Sequence, residues 1–358
     1  KAPLLLQEIL RKMSSHPPTK EQFEIYMARH EKAYSNASKN LPVVQAKDLL
    51  ESILMNERTT SEEKLAALQN INCEEFLQFY QKLLAKTYAE ALFCGNLSLK
   101  DAQSSWLDVQ HILSRGVYPK GEHAVSKVLE LSAEHGPFSI VKTTTAQGNG
   151  VILAIDQGSF SLEKKSAQEV LATAMREAFF NELRTKQKTG YIAKADATEI
   201  EERLFHLFLV QSNSHQPEDL LYRFELFFEE FLQTLNEQIP QTRFENLKHS
   251  CIHSLKTRFR NLKDKSALWN QLAFDKRGDF SYVEKRIQAL EALSYEQFLA
   301  FTQASLSRAN VRRIAVLMEG RLQSPFAYEP IDTSRLLEVS RYTAKPSLGA
   351  ATAESERN

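Results

Sequence analysis

The 358-residue chain carries 45 Lys plus Arg against 45 Asp plus Glu, a formal net charge of zero, and 42% of its residues are hydrophobic. That balance argues against a nucleic-acid-binding domain, which leaves a basic patch or stripe, and the length suits about two packed domains. No apolar run approaches the roughly 18–20 residues of a membrane span, and the widely spaced Cys73, Cys94 and Cys251 form no disulfide framework and read as free buried thiols.

The first half reads as a run of helices. Leu4, Leu5, Ile9 and Met13 recur at helical spacing, and a second helix starts near Thr19 with Phe23, Tyr26, Met27 and Tyr34. Pro42 suits the first turn of a third helix. Thr60 with Glu63, and Asn72 with Glu75, are helix-start signatures. A short strand is expected at Ala89 to Phe93, ended by Gly95-Asn96, followed by a helix from Ser98 to Leu113. The mixed segment Val117 to Gly136 is the expected domain boundary. Beyond it, strands are expected at Phe138 to Thr144 and Gly150 to Gln157, with Gly148-Asn149-Gly150 as a hairpin turn between them. A helix from about Leu162 to Lys186, a strand pair Tyr191 to Asp196 and Leu204 to Gln211, and a helix opened by Pro217 follow. Long helices continue to about Ser305, and Val311 to Met318 is the last expected strand.

The two halves repeat each other. Glu75-Phe76-Leu77-Gln78-Phe79 matches Gln297-Phe298-Leu299-Ala300-Phe301, Phe23-Glu24 matches Phe244-Glu245, and Glu8-Ile9-Leu10 matches Glu230-Phe231-Leu232. One offset of about 222 residues (297 − 75) serves all three, which implies two copies of one α/β domain. Only seven residues precede Glu8, so the first copy is expected to be truncated, with a half-domain before Lys1.

Catalytic motifs are missing from the sequence. It has no nucleophile elbow, no phosphate loop and no dinucleotide fingerprint. His249 and His253 are the one histidine pair a helical turn apart. A zinc peptidase helix also needs a glutamate beside one of them, and Ser250 and Ile252 occupy those places. His135 follows Glu134, but Leu131 stands four places before it, and His111, His123, His206 and His215 stand isolated and read as structural or exposed.

The run Phe180-Asn181-Glu182-Leu183-Arg184-Thr185-Lys186-Gln187-Lys188-Thr189-Gly190-Tyr191-Ile192 leads from a helix end through a turn into a strand. It resembles the signature of the pitrilysin/insulinase zinc peptidases, in which Phe-Asn-x-Leu-Arg leads to Gly-Tyr. The resemblance implies an α+β fold of tandem homologous domains of the LuxS/M16-like type, each an antiparallel sheet with helices on one side. Residues 1–122 would be the later part of the third domain, 123–340 the fourth, and 341–358, rich in Ala, Ser and Glu, a flexible tail. It further implies that zinc is a cofactor of the parent enzyme, held by the N-terminal catalytic half of the same parent chain, with no metal and no catalytic residue in this chain. Peptides or small proteins would be the substrates, and neither nucleic acid nor a membrane a partner. Arg184 and Tyr191 would bind the substrate backbone, and Tyr191 would assist the transition state. The plain alternatives are a helix-end cation for Arg184 and an ordinary strand aromatic for Tyr191. At the level of the whole chain, the alternatives are a catalytically inactive scaffold of the same fold, or a metal enzyme built on His249 and His253. Lys188-Thr189 departs from the family's usual Gln-Leu.

Overall fold

The computed structural model describes residues 2–322, apart from 84, 114–115 and 259–260, together with Asp332 and Arg335. Two compact units are present, Lys1–Leu322 and Gln323–Asn358. In the second, the backbone N–H of Arg335 donates to Asp332 Oδ1 at 2.9 Å. The expected tail 341–358 lies outside the described residues.

The first unit opens with six helices, α1 (Ala2–Ser15), α2 (Lys20–Ala37), α3 (Pro42–Leu54), α4 (Ser61–Leu68), α5 (Cys73–Leu83) and α6 (Leu99–Ile112). Their starts follow local chemistry. Thr19, Thr60 and Ser98 each close a capping box with the residue three places on, satisfying amides that a helix start leaves unpaired. Pro42 sits in the first turn of α3.

Strands β1 (Phe138–Gln147) and β2 (Asn149–Ser159), helix α7 (Leu162–Phe180), strands β3 (Ile192–Ile200) and β4 (Arg203–Ser212), and helix α8 (Pro217–Gln233) come next. Helices α9 (Leu235–Gln238), α10 (Gln241–Thr257), α11 (Leu262–Asn270), α12 (Tyr282–Ala292) and α13 (Tyr295–Leu306) lead to β5 (Arg313–Arg321). One five-stranded sheet runs in the order β1-β5-β2-β4-β3, antiparallel except for the parallel pair β1 and β5.

The central strands are buried on both faces, so they read as nearly continuous apolar runs. Val151, Leu153 and Ile155 of β2 face a core with Phe179 of α7, Phe208 of β4, and Phe224 and Phe228 of α8. Ile152 and Ala154, on the opposite face, pack with Ala46, Leu50 and Leu54 of α3. A helix of the first copy thus covers the far side of the second copy's sheet. Asp156, fully buried, ties the connecting segment to this sheet. It accepts from Arg203 Nε at 2.8 Å and from the Leu131 amide at 3.4 Å.

The duplication is visible in the coordinates. Helices α2 and α10 start 221 residues apart (241 − 20), α4 and α12 also 221 (282 − 61), and α5 and α13 222 (295 − 73). The same ring pair joins the matched helices: Phe23 meets Phe76 at 5.3 Å, and Phe244 meets Phe298 at 5.1 Å. Phe298 is fully buried, whereas Phe76 is only half-buried. Among the described residues the first copy has no sheet ladder beneath its helices, only the bridges Met55 with Val128 and Thr87 with Val117.

Four local expectations need correction. Ala89 to Phe93 is not a strand, because no neighbouring strand among the described residues supplies a ladder. The Gly148-Asn149-Gly150 turn does not make a hairpin: β5 lies between β1 and β2, and the turn bonds to it through Gly148 N–H to Arg321 O (2.9 Å) and Gly320 N–H to Asn149 Oδ1 (2.9 Å). The helix through Lys186 leaves α-geometry at Phe180 and finishes as a π-turn. The three cysteine thiols are free but only partly buried.

Candidate functional site

Helix α7 starts on Ser161, whose hydroxyl accepts from the Lys164 amide, and its buried face carries Val170, Leu171, Met175 and Phe179. At Phe180 it widens into a π-turn, Asn181–Lys186, a local irregularity common at functional sites. Leu183, fully buried, anchors the turn. Its carbonyl accepts from the Thr189 amide (2.9 Å) and the Thr189 hydroxyl (2.8 Å). Thr189 is thus a buried clasp, and Lys188 beside it takes a positive φ of 53°. The Lys188-Thr189 departure therefore has a structural role in closing this turn.

Held between these anchors, Arg184 points to solvent with its guanidinium 4.9 Å from the Phe180 ring centroid, a cation–π contact across one helical turn. A polar chain fixes the turn from behind. Glu182 accepts from Lys186 (2.8 Å) and Gln187 (3.0 Å), while Gln187 accepts from Arg223 (2.9 Å), which also pairs with Asp219 (2.9 Å). The Lys186 ammonium holds the Glu182 carboxyl below its ordinary range.

Gly190 joins the turn to β3. Its φ lies outside the left-handed region, so turn geometry is not its reason. A Cβ there would stand 1.9 Å from the Gln211 carbonyl oxygen of β4, so the backbone passes too close for any side chain. Tyr191 follows, 48% exposed, at the start of β3.

Arg184 and Tyr191 line one open groove of about 570 Å³, running between α7 and β3. Thr173, Arg176 and Phe180 form its helical wall, and Ile192 to Asp196 form its strand wall. The groove exists because Ala193 and Ala195, the inward residues of β3, are too small to fill it. Arg176 and Asp196 pair loosely across it at 3.7 Å. Sequence reading missed Thr173, Arg176 and Phe180. Their spacing to Arg184 was a signal, since Thr173, Arg176, Phe180 and Arg184 fall on one helical face.

The histidine pair does not join this site. His249 and His253 lie exposed on α10, while Cys251 points to Thr173 (3.6 Å). Among the described residues no group of three or more His, Cys, Asp or Glu side chains converges on a metal-binding point. His206 is fully buried against Gln157 (3.2 Å), and burial, helped by the Lys165 and Arg176 cations, lowers its pKa to about 3.

Residues 1–67 match the model of the middle or third domain of peptidase M16, and residues 170–269 match that of the PQQ synthase PqqF-like C-terminal lobe, domain 4. Both models, with the relatives that follow, support a C-terminal half of the M16 peptidase type. It is 21% identical over 341 residues to the A-factor-processing enzyme of Saccharomyces cerevisiae, covering 93% of this chain and 32% of that protein. Pitrilysin superposes with a TM-score of 0.72 at 18% identity, over 92% of this chain and 35% of that one. A peptidase M16 inactive domain from Pseudomonas fluorescens gives 0.64 at 16% identity, over 92% and 76%. The chain spans about a third of the length of the curated relatives it matches.

Proposed function

We propose that this M16 chain is the non-catalytic half of a zinc endopeptidase and grips peptide substrates opposite a zinc centre held by the N-terminal half of the parent. Residues 1–122 then form the later part of the third domain, and residues 123–340 the fourth. One observation supports the reading above others: Arg184 and Tyr191, seven residues apart across a turn, line the same groove. An Arg fork at a groove wall donates to peptide carbonyls, and a tyrosine hydroxyl on a fixed strand end donates to an oxygen that gains charge during peptide cleavage. The π-turn, the Thr189 clasp and the Glu182–Gln187–Arg223 chain hold both residues before substrate arrives, as preorganised catalysis requires.

The test uses both forms of the protein. The chain alone, supplied with zinc, leaves an unfolded reporter peptide intact; cleavage abolished by His249→Ala would overturn the proposal. In the full-length parent, Tyr191→Phe lowers kcat by about tenfold or more, with a smaller change in KM. If kcat is unchanged, Tyr191 leaves the transition-state role, and a scaffold reading gains if Arg184→Ala is silent as well.

A further inference from the structure

The outer side of β3 has no partner strand among the described residues, because β3 ends the sheet and pairs only with β4. An unpaired edge presents a row of backbone donors and acceptors that another chain can join. The groove lies along this edge over Ile192–Asp196 and begins at Tyr191. We infer that β3 is a peptide-docking strand, on which an extended peptide of neutral to acidic character adds as a sixth strand. The inference rests on the substrate-binding reading above and deepens it by naming how the peptide is held.

Three observations carry this mode. First, the free stretch of five residues spans roughly 13 Å at about 3.3 Å per residue, enough to pair a peptide segment of similar length. Second, Ala193 and Ala195 leave room between strand and helix, so inward side chains of an added strand would meet Phe180 and Arg176 and not a filled core. Third, the rim bears three cations, Arg176, Arg184 and Lys194, against two carboxylates, Glu177 and Asp196. With Arg176 and Asp196 paired across the groove, Arg184 and Lys194 outweigh Glu177. A strand added here runs past Tyr191 and Arg184, which places its carbonyls beside both proposed contact residues.

The experiment titrates the chain with a fluorescein-labelled ten-residue peptide of alternating Val and Glu, read by fluorescence anisotropy. Two further peptides have the same side chains but backbone N-methyl groups on alternate residues, one in each frame. The expected result is a loss of tenfold or more in affinity for one frame and less than twofold for the other, because only one set of amides faces β3. A Lys-for-Glu version binds several-fold more weakly, and the difference shrinks with added salt. Equal affinity in both frames overturns the strand-addition inference. If Arg184→Ala still weakens binding in that case, the substrate-binding reading survives without it. Absence of binding by every peptide defeats both.

Discussion

Replacing Gly190 by alanine tests the geometry on which the candidate site depends. The new methyl would sit 1.9 Å from Gln211 O, 2.8 Å from the Gln211 carbonyl carbon and 3.2 Å from Ser212 Cα. An ordinary carbon–oxygen approach is about 3.3 Å, so the turn and β4 must separate by roughly 1.4 Å. Gln211 is the β4 partner of Ile192, the first residue of β3, so the strain falls on the start of that strand. Overpacking costs about 1–3 kcal/mol, and a weakened ladder hydrogen bond adds about 1 kcal/mol. The loss of freedom in the unfolded chain offsets about 0.4–1 kcal/mol. The net expectation is a loss of about 2 kcal/mol, or roughly 4–8 °C in Tm. Thermal melting followed by circular dichroism measures it, and amide exchange at Ile192 to Ala195 locates it. Gly121→Ala is the control: its φ lies outside the left-handed region and a new Cβ there meets nothing within 4 Å. If Gly190→Ala melts with the parent, or exchange at β3 is unchanged, the close approach of turn and strand is refuted.

Two further expectations concern the core. Because burial lowers the folded pKa of His206 to about 3, against an ordinary 6.5, the unfolded chain takes up a proton that the fold excludes. Its contribution is complete above about pH 6.5 and falls by on the order of 1 kcal/mol per pH unit as pH drops toward 3. Urea titrations between pH 6.5 and 4.5 should therefore show a shallower decline for His206→Gln than for the parent, and equal slopes contradict the burial argument. Phe298→Ala should cost about 3–5 kcal/mol, while its counterpart Phe76→Ala, half-buried, should cost distinctly less. Equal losses in chemical denaturation would mean that the two copies are equally well packed.

The chain order of residues determined what is local. Capping at Thr19, Thr60 and Ser98, the Pro42 helix start, the 222-residue duplication and the helix-to-strand signature all depend on side chains a few positions apart, or on a repeated pattern. Tertiary structure decided the pairings. Strand ladders join residues far apart in the chain, so nothing near Gly148 announced that β5 would slip between β1 and β2, or that residues 89–93 would find no neighbour. The same holds for the groove: Arg184 and Tyr191 share it because Leu183, Thr189 and the passage of Gly190 beside Gln211 bend the chain there, and those contacts form only when β4 is in place.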